Sequence, residues 1–433
     1  MRGAVTGSVA VAIAVLAAGC GASGATPAQR SEPAAQEPES AASAERSEPA
    51  AQGSESAAPA DGPVVSLTFD DGLERQEQMA RELTERGLPG TFYVHSTRVQ
   101  APGYLTRAKL TAMARAGHEI GGHTRTHARL PELHPDEQRR EVCGDRSGLT
   151  DLGFAPRSFA YPFHAVDATA ESVVEECGYN SGRGRAGVAG EQRAPADVYN
   201  LGTPLSVGSR TTLGEIQQYV QAAEQSGGWA ILVFHDYCDD CGSLGVRPQV
   251  FTGFLDWLKG RSVAVRTVGD VIGGDVRPVP PLKPPSVVIN GSLENYFGKE
   301  GIPDCWQLDG RSTGATWGRV DQPRTGRWAG RVTVTAGDPG RLRLAIKQDG
   351  GECAPKPGTL SVWYVSTAPV RLTFSRRSAD GTWSGWNQGP VLPASSAWRQ
   401  ATWTPSAAGA AGVSFGLVLA GRGQATFDDF AVR

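Results

Sequence analysis

Hydrophobic and polar positions follow two different patterns along the chain. From residue 63 to about 275, short apolar, β-branched runs alternate with stretches in which apolar residues recur every three to four positions. This alternation predicts repeated βα units and a parallel sheet covered by helices. The strand candidates are Val64–Phe69, Thr91–Val94, His118–Ile120, Ser158–Tyr161, Tyr179–Ser181, Ile231–Phe234 and Val263–Arg266. The helix candidates are Glu74–Arg86, Arg107–Ala116, Pro135–Leu152, Thr169–Cys177, Leu213–Gln225 and Val250–Lys259.

The pattern changes after a proline-rich segment at residues 276–286, which predicts a stiff, extended spacer. Residues 287–433 contain short alternating runs such as "RVTVTA" and "VRLTFS", separated by Gly, Pro, Asp and Asn. This pattern predicts an all-β sandwich or jelly roll. A chain of 433 residues therefore divides into an α/β domain at 63–275 and a smaller β domain.

The N-terminal region predicts export. An apolar run at Val9–Ala18 follows Arg2 and ends in "LAAGC", which looks like a bacterial lipoprotein signal at residues 1–19 with Cys20 as the lipidated residue. Residues 20–62 consist mostly of Ala, Ser, Glu, Pro and Gln, so they cannot bury a core and should form a disordered tether. We expect a protein lipid-anchored through Cys20 at the outer face of the cell membrane. The alternative is a plain secretory signal and release to the cell wall.

The net charge bears on the possible binding partners, and the cysteine content bears on the disulfides. The formal net charge is −3, and this argues against a nucleic acid as partner. No sequence signal indicates oligomers, so a monomer is expected. Export makes disulfides available to the six cysteines after Cys20, four at 143–241 and two at Cys305 and Cys353, and the even counts predict pairing within each domain. "CDDC" at 238–241 also has the spacing of half a zinc site, but no second pair completes it, so disulfides are favoured.

Two acids stand where the first strand candidate ends, in "VVSLTFDDG". Burying Asp70 and Asp71 beside a core strand is costly unless they are paired or bind a metal. "HTRTH" places His123 and His127 at i and i+4, the spacing of metal-binding histidine pairs. Two imidazoles and one carboxylate form a catalytic type of ligand set. Since consecutive residues leaving a strand point in different directions, one acid can bind a metal while the other acts as a base.

The ordered segments "TFDDG", "HTRTH", "SFAYPF" and "ILVFH" resemble the polysaccharide deacetylases of carbohydrate esterase family 4, over roughly residues 63–274. The resemblance implies a distorted (β/α) barrel and metal-dependent removal of acetyl groups from N-acetylglucosamine polymers or acetylated xylan. Carried over residue by residue, it implies Asp70 as general base, His235 as general acid, and Asp71, His123 and His127 as metal ligands. The expected ion is Zn²⁺, with Co²⁺, Mn²⁺ or Ni²⁺ as alternatives.

The third of these segments departs from the family pattern. The family often has Arg-x-Pro-Tyr there, with the arginine paired to the base, whereas this chain has Ala160 in place of that arginine. Arg183 is the preferred replacement, with Arg185 as the alternative. The resemblance also implies that Tyr161, Pro162 and Phe163 line the substrate site, with the backbone N–H of Phe163 helping to hold the oxyanion. His164 stands where glycine is usual; we expect it to be exposed, with substrate contact as the alternative.

The ends of the β domain, "VVINGSLEN" and "TFDDFAVR", look like the first and last strands of jelly-roll carbohydrate-binding modules. That resemblance nominates Glu294 and Asp429 as ligands of a structural calcium ion, with ordinary turn acids as the alternative.

The sequence therefore predicts a metal-dependent polysaccharide deacetylase with a sugar-binding or wall-binding β module. Its substrate would be N-acetylglucosamine units of peptidoglycan or of a chitin-type polymer. One alternative is an acetyl xylan O-deacetylase, because the motifs describe the acetyl group and not the polymer. An alternative of another class is a non-catalytic wall-binding lipoprotein. The presence of a base, three ligands and an acid argues against it.

Overall fold

A computed structural model describes residues 62–297, 301–310, 313–337, 339–349 and 351–433. The predicted signal at 1–19, the lipidation site Cys20 and the predicted tether up to residue 61 lie outside the described residues. Within the described ranges, none of the helices has the length and apolar character needed to cross a membrane.

A parallel sheet organises the first domain. The strands of this domain are β1 (Val64–Phe69), β2 (Thr91–Val94), β3 (Glu119–Gly122), β4 (Ser158–Ala160), β5 (Ser181–Ala186), β6 (Leu201–Thr203), β7 (Trp229–Phe234), β8 (Asp236–Tyr237), β9 (Gly245–Val246) and β10 (Ala264–Val265). Of these, β8 and β9 form a separate two-stranded ladder. The helices are α1 (Gln76–Glu85), α2 (Arg107–Arg115), α3 (Pro135–Asp151), α4 (Ala168–Glu176), α5 (Leu213–Ser226), α6 (Pro248–Lys259) and α7 (Val268–Ile272). The sheet order is β10-β1-β2-β3-β4-β5-β6, with β7 also paired to β1.

β1 pairs with three strands of this sheet, namely β2, β7 and β10. All six of its residues are buried, as are all six of β7, because helices cover one face and the interior of the curved sheet the other. All pairings of the sheet are parallel, so the carboxyl ends of the strands meet at one edge. The predicted α/β class with a distorted barrel is therefore confirmed.

Two strands differ from the prediction. The fifth was predicted at Tyr179–Ser181, whereas β5 runs from Ser181 to Ala186, and β6 was not predicted at all. Gly182 and Gly184 alternate along β5, and a Cβ on either would come within 2.8 Å of the Tyr161 ring. Small residues are therefore required on one face of β5. Because glycines replace apolar side chains there, the sequence lacks the apolar periodicity that predicts a strand.

The second domain consists of two five-stranded sheets around a shared apolar core. Every pairing within these sheets is antiparallel, so the predicted β-sandwich is confirmed. The strands of this domain are β11 (Tyr296–Phe297), β12 (Ile302–Pro303), β13 (Trp306–Asp309), β14 (Ala315–Val320), β15 (Ala329–Val334), β16 (Arg343–Ile346), β17 (Leu360–Ser366), β18 (Val370–Arg377), β19 (Asn387–Leu392), β20 (Ser395–Trp403), β21 (Gly412–Leu419) and β22 (Gly423–Val432). The first two, β11 and β12, form a separate two-stranded ladder that precedes the sandwich.

The acids nominated for calcium both contact the loop between β14 and β15. Glu294 accepts hydrogen bonds from the backbone N–H groups of Arg327 and Trp328. Asp429 accepts one from the guanidinium of Arg324, at 2.7 Å, and one from the hydroxyl of Thr325. Both carboxylates thus hold this loop in place, as ordinary turn acids do, and the calcium site stays a prediction.

The described residues contain three disulfides, each within one domain, and this confirms the predicted pairing. Cys143 at the middle of α3 is bonded to Cys177 at the end of α4. Cys238 and Cys241 are bonded to each other, so their sulfurs do not form half of a zinc site. Cys305 and Cys353 form the third disulfide, in the β-sandwich.

Helix α3 contacts the β-sandwich and the segment that leads to it. Asp136 accepts hydrogen bonds from the backbone N–H and the hydroxyl of Ser286. Arg140, which is buried, forms a two-pronged ion pair with Asp304. A buried guanidinium requires such a partner, because an uncompensated charge in the interior is strongly destabilising.

We expect the disulfide between α3 and α4 to be a major contributor to the stability of the first domain. Replacing Cys143 and Cys177 together with Ala opens a link across a sequence separation of 34 residues. Loss of this constraint on the unfolded chain should lower the free energy of unfolding by about 4 kcal/mol, measured by urea denaturation. The matched control replaces Cys238 and Cys241, which are separated by only 3 positions, and should cost clearly less. Equal losses in the two variants would contradict the prediction.

Candidate active site

Seven polar side chains converge at the carboxyl edge of the parallel sheet, where α/β domains hold their active sites. Six of them come after the strands β1, β2, β3 and β7, and one lies within β5; they are Asp70, Asp71, His95, His123, His127, Arg183 and His235. The five predicted residues, the base, the acid and the three ligands, are all brought together here, and so is Arg183. His95 was not predicted.

A left-handed turn separates the two neighbouring acids. Asp71 has φ = 79° and Gly72 has φ = 68°, so the chain reverses its course directly after β1. A Cβ on Gly72 would lie 2.9 Å from the Val94 side chain, so both the backbone conformation and the space require glycine. Because of this turn, Asp70 and Asp71 have different neighbours.

Asp70 is buried against a guanidinium. The Nη2 atom of Arg183 lies 2.6 Å from each carboxylate oxygen of Asp70, and both side chains are inaccessible to solvent. Burial alone would raise the pKa of Asp70, but the positive charge of Arg183 outweighs it and holds this pKa below its usual range. The Nε2 atom of His235 lies 3.8 Å from the same carboxylate. The predicted base and acid therefore face each other across a short gap.

The position of Arg183 explains the departure at Ala160. In the parallel pair of β4 and β5, Ala160 and Arg183 are register partners. Residues paired in this way project from the same face of a sheet, so an arginine on β5 reaches the region that one on β4 would have occupied. Arg185, the alternative, forms an ion pair with Glu191 instead and is exposed.

Three imidazoles surround the carboxylate of Asp71. Its Oδ1 atom lies 3.3 Å from Nε2 of His127, 3.5 Å from Nε2 of His123 and 3.9 Å from Nε2 of His95. One ligand atom of each residue lies within 4.8 Å of all the others. Burial opposes ionisation of Asp71, but the neighbouring imidazoles of His123 and His95 hold its pKa far below the usual range. Burial and the charge of His123 lower the pKa of His127 to about 3.

These residues fit a divalent metal ion. Asp71 Oδ1 is buried and has no hydrogen-bond partner among the described residues. The Nδ1 atom of His123 lies 2.7 Å from the carbonyl oxygen of Ala160, which can only accept, so this nitrogen carries the proton and Nε2 presents a lone pair. A lone pair and a carboxylate that face each other repel, and a cation bound between them would compensate both. Imidazole and carboxylate ligands suit zinc and its neighbours in the first transition series.

Gln76, at the start of α1, joins the two strand ends that carry the predicted base and acid. Its amide nitrogen donates to the carbonyl oxygen of Asp70 at 2.5 Å and to that of His235 at 2.7 Å. Gln76 is fully buried. The sequence analysis missed it, because a glutamine on a helix carries no motif; its place five residues after the acid pair was the only available signal.

Helix α3 supports the loops that present the histidines. Asp145 accepts hydrogen bonds from the backbone N–H groups of Ser96 and His123, at 2.7 and 3.0 Å. Glu141 accepts one from the backbone N–H of Thr126 at 2.9 Å. Burial raises the pKa of Asp145 to about 7 and that of Glu141 to about 8. These buried acids fix the "HTRTH" loop from behind.

The segment after β4 differs in part from the prediction. Tyr161 is buried, and its hydroxyl donates to the carbonyl oxygen of Tyr199, so its ring belongs to the core and does not line a cleft. Phe163, at φ = 57° and 53% exposed, places its ring centroid 4.4 Å from that of His127. His164 was expected to be exposed, but it is half-buried; burial and the charge of Arg183 lower its pKa to about 4.

Residues 57–182 match the family model described as polysaccharide deacetylase. An uncharacterised protein from Streptomyces coelicolor is 34% identical over 119 residues, which are 27% of this chain and 46% of that protein. A peptidoglycan-N-acetylglucosamine deacetylase from Bacillus cereus is 30% identical over 106 residues, 24% of this chain and 37% of that protein. The chain thus spans less than half the length of these curated relatives. The solved structure of a peptidoglycan deacetylase from Bacillus subtilis aligns with 49% of this chain and 90% of its own, at 18% identity and a TM-score of 0.35.

We predict that a divalent ion stabilises the first domain through Asp71. An ion present at about 1,000 times its dissociation constant adds about 4 kcal/mol to the free energy of unfolding, so Zn²⁺ should raise the melting temperature and a chelator should reverse the rise. Asp71→Ala removes the carboxylate ligand and should abolish the shift. Asp240→Ala, at an exposed acid, is the matched control and should keep it. An undiminished shift in Asp71→Ala would refute the assignment.

Proposed function

We propose that the chain is a metal-dependent hydrolase that removes acetyl groups from N-acetylglucosamine units of an extracellular polysaccharide, because residues 57–182 match the polysaccharide deacetylase family model. The observation that supports this most strongly is the different environment of two consecutive carboxylates. Asp70 is paired with Arg183, and Asp71 is surrounded by imidazole nitrogens. An acid held ionised beside an acid that can bind a metal is suited to metal-assisted hydrolysis of an acetyl group.

In this proposal Asp70 is the general base. Arg183 keeps its carboxylate ionised and fixes its orientation through two hydrogen bonds to one nitrogen. The carboxylate then accepts a proton from the attacking water molecule. General bases in such positions contribute about 10²- to 10⁴-fold to the rate.

His235 is the proposed general acid. It follows β7 directly, and Gln76 holds its backbone at a fixed distance from that of Asp70. Its Nε2 atom can donate a proton to the leaving nitrogen, which must be protonated before the C–N bond breaks. The separation of 3.8 Å between Nε2 and the Asp70 carboxylate keeps the two roles within reach of one acetyl group.

Asp71, His123 and His127 are the proposed metal ligands. A divalent ion held there supplies Lewis acidity to the acetyl carbonyl and lowers the pKa of a water molecule. The backbone N–H of Phe163 is proposed to donate to the oxygen that gains negative charge. Its left-handed conformation and its contact with His127 support this role.

The proposed substrate is peptidoglycan or a chitin-type polymer. The relative from Bacillus cereus is named as acting on N-acetylglucosamine in peptidoglycan, and this supports the substrate class. We further propose that the β-sandwich binds the polymer, and that a lipid anchor at Cys20 holds the enzyme near it.

The test is acetate release by the full chain loaded with Zn²⁺, on peptidoglycan, N-acetylglucosamine oligomers and acetylated xylan. We expect release from one of the first two substrates. Asp70→Ala should lower the rate by about 100-fold or more, because the base is lost. Release from xylan alone would establish the O-deacetylase instead. A folded, metal-loaded protein without activity on any substrate would favour a non-catalytic wall-binding protein.

The assignment of His235 as the acid predicts a dependence on the leaving group. His235→Ala should lose about 100-fold or more on N-acetylglucosamine oligomers, because the amine must be protonated. With an activated aryl acetate, whose phenolate leaves without a proton, the variant should keep most of its activity, whereas Asp70→Ala should not. Parallel losses in the two variants on both substrates would contradict the assignment.

Arg183 should be required both for stability and for turnover. Arg183→Met leaves the carboxylate of Asp70 buried without a cation and should lower the free energy of unfolding by about 3–5 kcal/mol near neutral pH. The double variant with Asp70→Asn should recover part of this loss, because no charge remains unpaired. Arg183→Lys keeps the charge but not the planar donor and should show intermediate rates of acetate release. An additive loss in the double variant, seen by urea denaturation, would exclude the pairing.

A further inference from the structure

We propose that His95 is a metal ligand, so that this chain holds its divalent ion with three imidazoles and one carboxylate. This inference rests on the proposed function and deepens it. His95 lies directly after β2, between the acids that follow β1 and the histidines that follow β3. Because β2 pairs with both strands, His95 has the same place at the edge of the sheet as the proposed ligands.

Hydrogen bonding fixes which nitrogen of His95 faces the cluster. Its Nδ1 atom lies 3.0 Å from the carbonyl oxygen of Thr124. A carbonyl oxygen only accepts, so Nδ1 carries the proton and Nε2 presents a lone pair toward Asp71. His123 has the same arrangement, with Nδ1 on the carbonyl of Ala160. Such partners behind the ring orient histidines that bind metals.

The backbone of Thr124 adopts a strained conformation that directs its carbonyl oxygen toward Nδ1 of His95. Its φ is 64°, a conformation that is costly for a β-branched residue, and it is fully buried. In this conformation its carbonyl oxygen accepts from His95, while its hydroxyl accepts from the backbone N–H of His127 at 3.0 Å. One strained residue thus orients two of the three histidines.

The three rings are arranged around a common point. The ring centroids of His95, His123 and His127 lie 5.0–5.2 Å from one another. Asp71 Oδ1 lies 3.3–3.9 Å from the three Nε2 atoms. Ligands bound tetrahedrally to zinc at about 2.0–2.1 Å are about 3.3 Å apart. The distances to His127 and His123 are close to this value, and the 3.9 Å distance to His95 exceeds it by about 0.6 Å, so a small side-chain movement would bring all four atoms to one ion.

A consequence for the metal follows from the four protein ligands. A substrate oxygen can reach the ion only if the ion accepts a fifth ligand, as catalytic zinc sites do when they expand beyond four-coordination. Nitrogen and carboxylate donors favour zinc or a neighbouring transition metal over calcium or magnesium.

The direct test is X-ray absorption spectroscopy of the full chain with one equivalent of Zn²⁺, because the outer-shell scattering counts imidazoles. We expect three imidazoles in the wild type and two in His95→Ala. His118→Ala is the matched control, since His118 is buried too but contacts Gly90 and Thr84 away from the cluster, and it should keep three.

A second measurement separates ligation from mere support of the Thr124 loop. His95→Asn places an amide N–H near the position of Nδ1, so it can keep the contact with Thr124 but cannot bind the ion. Zinc affinity, measured by competition with a chromophoric chelator, should fall by at least about 10-fold in His95→Asn as well as in His95→Ala, since even partners outside the ligand set are worth about 10–100-fold. Wild-type affinity in the asparagine variant would overturn the inference.

The outcomes for the two proposals are distinguishable. Bound zinc with only two imidazoles in the wild type would overturn the role of His95 and leave the proposed function intact. A wild type that binds no divalent ion would overturn both.

Discussion

Two neighbouring carboxylates lie at the end of a core strand, where their charges are poorly solvated. The arrangement of the candidate active site compensates these two charges separately. Like charges so close together in a poorly solvated site would force one of them to take up a proton. The left-handed turn at Asp71 and Gly72 sends the carboxylates to different neighbours. Arg183 compensates the charge of Asp70, and a cluster of imidazoles surrounds Asp71. The proposed division between base and ligand is a result of that separation.

The sequence predicted the strands and the site residues correctly where reactive side chains directly follow an apolar run. Runs such as "VVSLTF" and "AILVF" predicted β1 and β7, because strands buried on both faces are continuously apolar. The acids and the histidine pair stood out because they follow such runs directly, and the structure brings them together at one edge of the sheet. Arg183 was preferred to Arg185 only because it follows a strand. The register of β4 and β5, which pairs Arg183 with Ala160, supplies the reason, and register is not visible in one strand alone.

The parts that were missed depend on tertiary contacts. β5 escaped detection because its glycines make room for Tyr161, a residue some twenty positions earlier in the chain. Gln76 acts through its amide on two backbone carbonyls of distant strands, and no local pattern marks such a residue. His95 did leave a signal. It follows β2 as Asp70 follows β1, and the rule that parallel strands end at one edge would have placed it with the others.

Helix α3 lies in the first domain and contacts the second, and this limits how the chain can be rearranged in evolution. Its later turns hold the "HTRTH" loop through Glu141 and Asp145, while its earlier turns contact the segment before the β-sandwich through Asp136 and the β-sandwich itself through Arg140. Recombination that exchanged the β-sandwich for an unrelated module would leave Arg140 without its acid, within the same helix that supports the histidine loop. A successor module would need a carboxylate at the place of Asp304. The β-sandwich therefore supplies a charge partner that helix α3 of the first domain depends on.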